Sequence, residues 1–279
     1  MVTLNTFGII KKSSMKHIVI LVLSLWFVYS CTSKTATEQS NVEDASEDRR
    51  YEDERVDTPF VTTATLQAVD GLEVTYDQLH LSYDQPVILL CHQAGWSRGE
   101  YKATADSLHK LGFNCISIDQ RSGNAVNDVE NETAAKAKEH GLGQSYEDAE
   151  QDIVAALIWV NDQYYDDVIL LGSSYSAGLA LKIASEKPDM VDKVVSFSPG
   201  EYYSDFTLKE SIGGLKAPCF LTSSQEEANA VQELFKVIPA KTKIQYIPSG
   251  KGAHGSRVLW ESISDNAEYW GALKQFLGR

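Results

Sequence analysis

VILLGSSYSAGLA, residues 168–180, is the stretch that decides the fold. An apolar strand ends at Gly172, two serines follow, and a helix of small and apolar residues begins at once. This order is typical of a sharp strand-to-helix turn that lifts one hydroxyl clear of a sheet. Because the strand and helix backbones nearly touch in such a turn, it needs small residues two positions before and after the exposed serine. Gly172 and Ser176 meet that need around Ser174, which we predict to be a nucleophile.

The same stretch allows a second interpretation, in which Ser176 is the nucleophile and Ser174 and Gly178 are its small neighbours. That frame would place the reactive hydroxyl about one turn inside the helix, so the pattern favours Ser174. A plain strand-turn-helix crossover with a chance serine-rich turn also fits this motif taken alone.

Residues 1–30 have the organisation of a secretory signal peptide. Three lysines, at 11, 12 and 16, precede an apolar run over 18–29 that ends at Ser30-Cys31. A helix over this run would span about 18 Å, well short of the roughly 30 Å of bilayer hydrocarbon. Val28-Tyr29-Ser30-Cys31 resembles a bacterial lipoprotein box, in which the cysteine is lipidated and becomes the first mature residue. A soluble secreted protein with an incidental cysteine is the alternative.

Residues 31–58 are rich in Ser, Thr and Asn and then acidic, which predicts a disordered tether. Residues 59–279 suffice for one domain with a full core. A net charge of -14 argues against nucleic acid and against electrostatic docking on anionic lipid. Together with the signal peptide, this predicts a location at the cell envelope, lipid-anchored or secreted, with membrane contact only through Cys31. We also expect the protein to be a monomer.

The order of elements in residues 59–279 predicts an α/β fold. Asp70-Gly71 is a strong turn signal between two strand-like runs and predicts an N-terminal antiparallel hairpin. After it, short apolar strands alternate with helical segments, which favours a mostly parallel central sheet with helices on both faces. No CxxC or HExxH spacing is present, so no metal site is expected. Cys91, Cys115 and Cys219 lie in strand-like runs and are predicted to be buried free thiols, with a disulfide as the alternative.

A reactive serine needs a base, an acid that orients the base, and two N–H donors for the oxyanion. All should lie at the carboxyl ends of strands, where open α/β sheets bind their ligands. We call the strand-to-helix turn at residues 172–176 the elbow. Of six histidines only His254 follows the elbow in the chain, in a glycine-rich loop after the last strand. The acid belongs in the loop after the strand near 220–223, where Glu227 is the first choice, with Glu226 and Glu201 as alternatives. For His254 and for each acid, a chance surface residue is the competing interpretation.

Over residues 87–279 the chain resembles the α/β-hydrolase superfamily, in particular its dienelactone-hydrolase-like and bacterial esterase-like members. The matching pieces, in chain order, are Cys91-His92-Gln93-Ala94-Gly95, Asp119-Gln120-Arg121-Ser122-Gly123, Gly172-Ser173-Ser174-Tyr175-Ser176, Ser223 to Glu227, and Ala253-His254-Gly255. By this resemblance the nucleophile, acid and base fall on Ser174, Glu227 and His254. The departures are Ser176 and Gln93, where glycine is usual, and a Glu in the acid position.

The resemblance also implies the two oxyanion donors. One is the backbone N–H of Tyr175, and the other is that of Gln93 or Ala94, in a turn that His92 stabilises. It further implies that Asp119 and Arg121 form a buried ion pair beneath the pocket.

These features predict a serine hydrolase that cleaves a small-molecule carboxylic ester through an acyl-enzyme and needs no cofactor. An acyltransferase or peptidase with the same triad is one alternative, and a catalytically inactive binding module is another. Selectivity is assigned to the loop 122–145 and to aromatic wall residues, which are Trp96, Tyr175, Tyr202 and Tyr203.

Overall fold

The computed structural model describes residues 57–163 and 167–279. The predicted signal peptide, the Cys31 anchor and nearly all of the predicted tether lie outside these residues. Within them, eight strands form one sheet in the order β1-β2-β4-β3-β5-β6-β7-β8. The strands are β1 (Phe60–Gln67), β2 (Glu73–His80), β3 (Val87–Cys91), β4 (Asn114–Ile118), β5 (Val168–Ser173), β6 (Lys193–Phe197), β7 (Cys219–Thr222) and β8 (Lys243–Tyr246).

The sheet is parallel from β4 to β8 and antiparallel at its N-terminal edge. β1 pairs with β2 and β2 with β4 in antiparallel register, and every other neighbouring pair is parallel. Gly71 turns the hairpin with a φ of 84°, a conformation that glycine adopts without strain. β3, β4 and β5 are buried along their whole length, as apolar strands covered on both faces should be. The predicted fold class is confirmed.

Helices cover both faces of this sheet and create two separate hydrophobic clusters. α3, α4 and α6 contribute to the larger cluster, and α1 and α7 to the smaller one. The helices are α1 (Lys102–Lys110), α2 (Glu132–Glu139), α3 (Glu150–Asp162), α4 (Tyr175–Glu186), α5 (Leu208–Ser211), α6 (Ala228–Val237) and α7 (Asn266–Leu277). None of the helices within 57–163 and 167–279 is both long and apolar enough to span a bilayer.

One predicted ion pair is wrong, because both of its members bind other partners. Arg121 is 1% exposed and forms ion pairs of 2.7 Å with both Asp70 and Asp152. Asp119 instead accepts from the guanidinium of Arg98, at 2.6 Å. Arg121 therefore joins the hairpin turn to α3, and the Asp119 carboxylate neutralises a different buried cation.

Arg121→Met is expected to lower the free energy of unfolding by about 3–5 kcal/mol, because it leaves Asp152 buried without its partner. Urea denaturation followed by circular dichroism measures this loss. The double variant Arg121→Met/Asp152→Leu is the control and should recover much of it, since no unpaired buried charge remains. A single-variant loss below about 1 kcal/mol, the range of exposed pairs, would show that Asp152 is not held by this contact.

Candidate active site

Ser174 occupies a strained corner between β5 and α4. Its φ is 60° and its ψ is -119°, a combination that side-chain-bearing residues rarely adopt. The corner is held by the Ser174 N–H, which donates to the carbonyl of Phe197 at 2.8 Å. A Cβ on Gly172 would lie 2.3 Å from the carbonyl oxygen of Ser176, so the close approach of strand and helix requires glycine there. The turn thus has the geometry that presents a hydroxyl at the carboxyl edge of the sheet.

Ser176 lies inside this turn and is fully buried. Its hydroxyl donates to the carbonyl of Cys91 at 2.7 Å and accepts from the N–H of Ser173 at 2.9 Å. The first contact ties the elbow to β3, and the second holds the end of β5 against the start of α4. The alternative in which Ser176 is the nucleophile therefore lacks an accessible hydroxyl.

His254 is brought to Ser174 by the loop that follows β8. Its Nε2 lies 2.8 Å from the Oγ of Ser174, and its Nδ1 lies 2.5 Å from Oε1 of Glu227. An imidazole protonated on Nδ1 donates to that carboxylate and accepts the serine hydroxyl proton on Nε2. The three residues form one continuous hydrogen-bonded chain, although 80 positions separate serine and histidine.

Glu227 is fixed by donors on its other oxygen. The hydroxyls of Ser198 and Ser224 donate to Oε2 at 3.0 and 2.7 Å, and the Ser224 N–H donates at 3.1 Å. Burial raises the pKa of Glu227, but the hydrogen bonds from His254, Ser224 and Ser198 outweigh it and lower this pKa to about 2. The carboxylate is therefore ionised throughout the neutral range.

The two other acids considered from the sequence do not contact His254. Glu201 accepts from the N–H groups of Leu208 and Lys209, at 2.6 and 2.8 Å, and so caps α5. Glu226 is exposed on the preceding turn. Of the three candidates, only Glu227 is oriented toward the imidazole.

One of the two alternatives for the second oxyanion donor is wrong. The N–H of Gln93 donates to Oε2 of Glu100 at 2.7 Å and is not free for a substrate. Within residues 57–163 and 167–279, no hydrogen bond engages the N–H of Ala94 or of Tyr175. Ala94 follows β3 and Tyr175 follows Ser174 in the chain, so both N–H groups remain candidates for the oxyanion donors.

His92 stabilises the turn that carries Ala94. It is fully buried, accepts from the Gln120 N–H on Nε2 at 2.9 Å, and bonds the carbonyl of Gln93 through Nδ1 at 2.8 Å. Burial lowers the pKa of His92 to about 4, so the ring is neutral near pH 7. The neutral ring therefore links the Gln120 N–H to the Gln93 carbonyl and holds the turn in place.

Of the four predicted aromatic wall residues, three retain exposed surface and one, Tyr175, is buried. Tyr202 is 38% exposed, and its hydroxyl donates to the carbonyl of Ser198. Trp96 is half-buried and stacks on Trp260, with 5.3 Å between ring centroids.

Tyr203 is partly buried and packs against the larger hydrophobic cluster, whereas the Tyr175 side chain is buried and is wrong as a wall residue. The hydroxyl of Tyr203 donates to the carbonyl of Tyr175, and its ring stacks on Phe206. The Tyr175 side chain is 1% exposed and stacks on Tyr146, so only its backbone N–H can face a ligand.

A cavity of about 620 Å³ lies beside residues 92–95, the turn that follows β3 and that we call the oxyanion turn. Ala94 and Gly95 form one side of it, and Tyr146, Gln144 and parts of the loop 121–138 form the rest. The sequence predicts a loop over 122–145, but the structure has α2 within it, and Asn131 caps this helix by accepting from the Ala134 N–H at 2.8 Å. The loop to which selectivity was assigned therefore lines a cavity next to Ala94.

The three cysteines of the described domain are free and buried. Burial raises the pKa of each thiol well above its usual range. The described residues contain no cluster of three or more His, Cys, Asp or Glu side chains that could hold a metal ion.

Residues 84–237 match a family model described as "Serine aminopeptidase, S33" (Hydrolase_4). This segment is more than half of the chain and includes the elbow, the oxyanion turn and Glu227. No curated protein matches the sequence.

Solved structures with the same fold include an esterase from Pyrococcus furiosus and a dienelactone hydrolase from Anabaena variabilis. The esterase is 14% identical with a TM-score of 0.62, and the match covers 79% of this chain and 91% of the esterase. The dienelactone hydrolase is 16% identical with a TM-score of 0.61, and the match covers 79% of this chain and 97% of that enzyme. At such low identity these matches establish the fold.

Proposed function

Because the chain belongs to the serine aminopeptidase S33 family of α/β-hydrolases, we propose that it is a serine hydrolase that cleaves carboxylic esters through an acyl-enzyme. The observation that carries the proposal is the hydrogen-bonded chain from Ser174 through His254 to Glu227. Serine hydroxyls are weak nucleophiles at neutral pH, and an adjacent oriented base is what activates them.

In the first half of the reaction, the Oγ of Ser174 attacks the ester carbonyl while Nε2 of His254 takes its proton. The carbonyl oxygen becomes an oxyanion and accepts from the N–H groups of Ala94 and Tyr175. Each such donor typically contributes about 3–4 kcal/mol at the transition state. Collapse of the tetrahedral intermediate breaks the C–O bond, and the imidazolium returns its proton to the departing alcohol.

In the second half, water attacks the acyl-enzyme and His254 takes a proton from it. The same two N–H groups stabilise the second oxyanion, and Ser174 leaves with the proton from the imidazolium. Glu227 stays ionised and favours the charged imidazolium in both steps, since three further donors hold its other oxygen.

The proposed substrate is a small ester with a polar portion. The cavity beside Ala94 is lined by polar groups, among them Ser122, Asn124 and Gln144. Such groups stabilise hydroxyl or amide substituents and leave a long alkyl chain without apolar contacts. We further propose a monomeric enzyme at the cell envelope, tethered through Cys31, that does not bind nucleic acid.

Peptide hydrolysis is the second candidate, and the description of the family favours it. An aminopeptidase must pair the substrate's free ammonium with a carboxylate. Two carboxylates adjacent in sequence to site tyrosines are already engaged: Glu147 by the Ser204 N–H and Glu201 by the start of α5. Glu130 also lines the cavity, so the comparison of esters with aminoacyl anilides decides between the two substrate classes.

A fluorophosphonate probe, followed by peptide mass mapping, tests the nucleophile directly. The expected result is labelling at Ser174. A panel of short-chain and long-chain 4-nitrophenyl esters and aminoacyl 4-nitroanilides then separates the activities, with short esters expected to react fastest. Preferential cleavage of the anilides would establish the peptidase instead, and transfer to an added alcohol or amine in preference to water would indicate an acyltransferase. An unlabelled Ser174 would support an inactive binding module.

A further inference from the structure

Glu100 is a fully buried carboxyl group that the proposed mechanism does not use. It lies in a short 3-10 helix, Arg98–Tyr101, that follows the oxyanion turn. Its Oε1 accepts from the hydroxyls of Ser173 and Ser256 at 2.7 and 2.5 Å, and its Oε2 accepts from the Gln93 N–H at 2.7 Å. Three donors converge on one side chain.

The three donors come from the three segments that build the site. Gln93 precedes the oxyanion donor Ala94, Ser173 precedes the nucleophile, and Ser256 is two residues after His254. Two of these segments are also joined directly, because the Ser256 N–H donates to the Oγ of Ser173 at 2.9 Å. Glu100 is thus the shared acceptor beneath the oxyanion turn, the elbow and the histidine loop.

We propose that ionised Glu100 is a positioning residue, which fixes Ala94, Ser174 and His254 relative to one another by accepting these three hydrogen bonds. The inference rests on the proposed serine hydrolase function. It assigns a role to a residue that touches neither the substrate nor the reacting atoms.

The ionised form is the one that satisfies all three donors. The serine hydroxyls can rotate, but the Gln93 N–H has a fixed direction and needs an acceptor on Oε2. In Glu100→Gln only the amide oxygen can accept, because the other terminal group is an NH2 donor. At least one of the three donors is then left poorly paired, or a serine hydroxyl must turn and accept from the NH2 group.

The charge of Glu100 also acts on His254. Burial raises the pKa of Glu100 to about 7, while the three hydrogen bonds and the nearby imidazole oppose this shift. Other titratable side chains facing the carboxyl are Cys91 from β3 and Tyr101 from its own helix. Burial raises the pKa of both, so they are neutral near pH 7. His254 is therefore the neighbouring imidazole that favours the ionised form of Glu100.

Glu100→Gln tests the role, with the rate of fluorophosphonate labelling of Ser174 and the hydrolysis of 4-nitrophenyl acetate as readouts. We expect kcat and the labelling rate to fall by about tenfold to a hundredfold with KM within about twofold, because misalignment affects the transition state and not ground-state binding. The acidic limb of the kcat/KM profile should move to lower pH, since the variant lacks both the titrating carboxyl and its charge. A purely structural role would not move this limb.

Asn114→Leu is the matched control. Asn114 is also fully buried, and it makes four hydrogen bonds to loop 81–85 at the opposite end of the sheet. This variant should lose stability while its folded fraction keeps the wild-type kcat and pH profile. Ser256→Ala removes one donor alone and should lower kcat severalfold, so it tests the role even where Glu100→Gln does not fold.

The outcomes separate the inference from the function on which it rests. A labelled wild type with wild-type kcat and an unmoved acidic limb in Glu100→Gln and Ser256→Ala would overturn the inference and leave the hydrolase function standing. Equal activity losses in Asn114→Leu and Glu100→Gln would overturn it as well. Absence of labelling in the wild type would overturn the proposed function itself, and the positioning role with it.

Discussion

Ser174→Ala is expected to lower kcat for the best ester by about 10⁴-fold or more, as the loss of a triad member typically does. The physical reason is that, among the described residues, Ser174 carries the hydroxyl that is hydrogen-bonded to Nε2 of His254. The neighbouring Tyr202 hydroxyl donates to the Ser198 carbonyl. Burst-phase kinetics with 4-nitrophenyl acetate measure the loss, and the burst of acyl-enzyme should disappear with it.

Ser176→Ala is the matched control for this experiment, since it removes a hydroxyl two residues away. Its hydroxyl links β5 and β3 and faces no solvent. We expect the control to retain its acyl-enzyme burst and most of its kcat, and to lose about 1–2 kcal/mol of folding free energy. An active Ser174→Ala protein together with an inactive Ser176→Ala protein would reverse the assignment.

His254→Ala should be nearly as damaging, with kcat again reduced by about 10⁴-fold. In the proposed mechanism the imidazole takes a proton from serine and returns it to the leaving group, so both halves of the reaction would lose their proton carrier. Because serine and histidine act as a unit, the double variant Ser174→Ala/His254→Ala should be no slower than either single one.

The probe provides a second measurement of the histidine, since fluorophosphonate attack also needs the base. Labelling of Ser174 should become undetectable in His254→Ala. His140→Ala, at an exposed histidine that follows α2, is the control and should label at the wild-type rate. Rapid labelling in His254→Ala would mean that another group activates the serine.

The sheet and the elbow could be predicted from the sequence because local chemistry determines them. An apolar run that stops at Gly172 has few alternatives, and the Asp-Gly turn fixes the leading hairpin. His254 and Glu227 could be predicted since the carboxyl ends of parallel strands meet at one edge of the sheet.

The remaining features depend on contacts between segments far apart in the chain. Arg98 lies 21 positions from Asp119, and Arg121 lies 51 positions from Asp70, so no local pattern reveals which charges pair. No local pattern marks Glu100, and only the fold shows that the Ser173 and Ser256 hydroxyls converge on it. α2 was missed because its apolar positions are alanines, which give a weak periodic signal.

The positive φ at Ser174 lowers folding stability at the residue proposed to be the nucleophile. Residues held in such backbone regions cost on the order of 1–3 kcal/mol, and Ser198, which donates to the catalytic carboxylate candidate, also has a positive φ of 55°. Glycine would relax either position, yet at 174 it would delete the hydroxyl of the proposed nucleophile. Selection of heat-resistant variants without an activity screen would therefore enrich dead protein at this position.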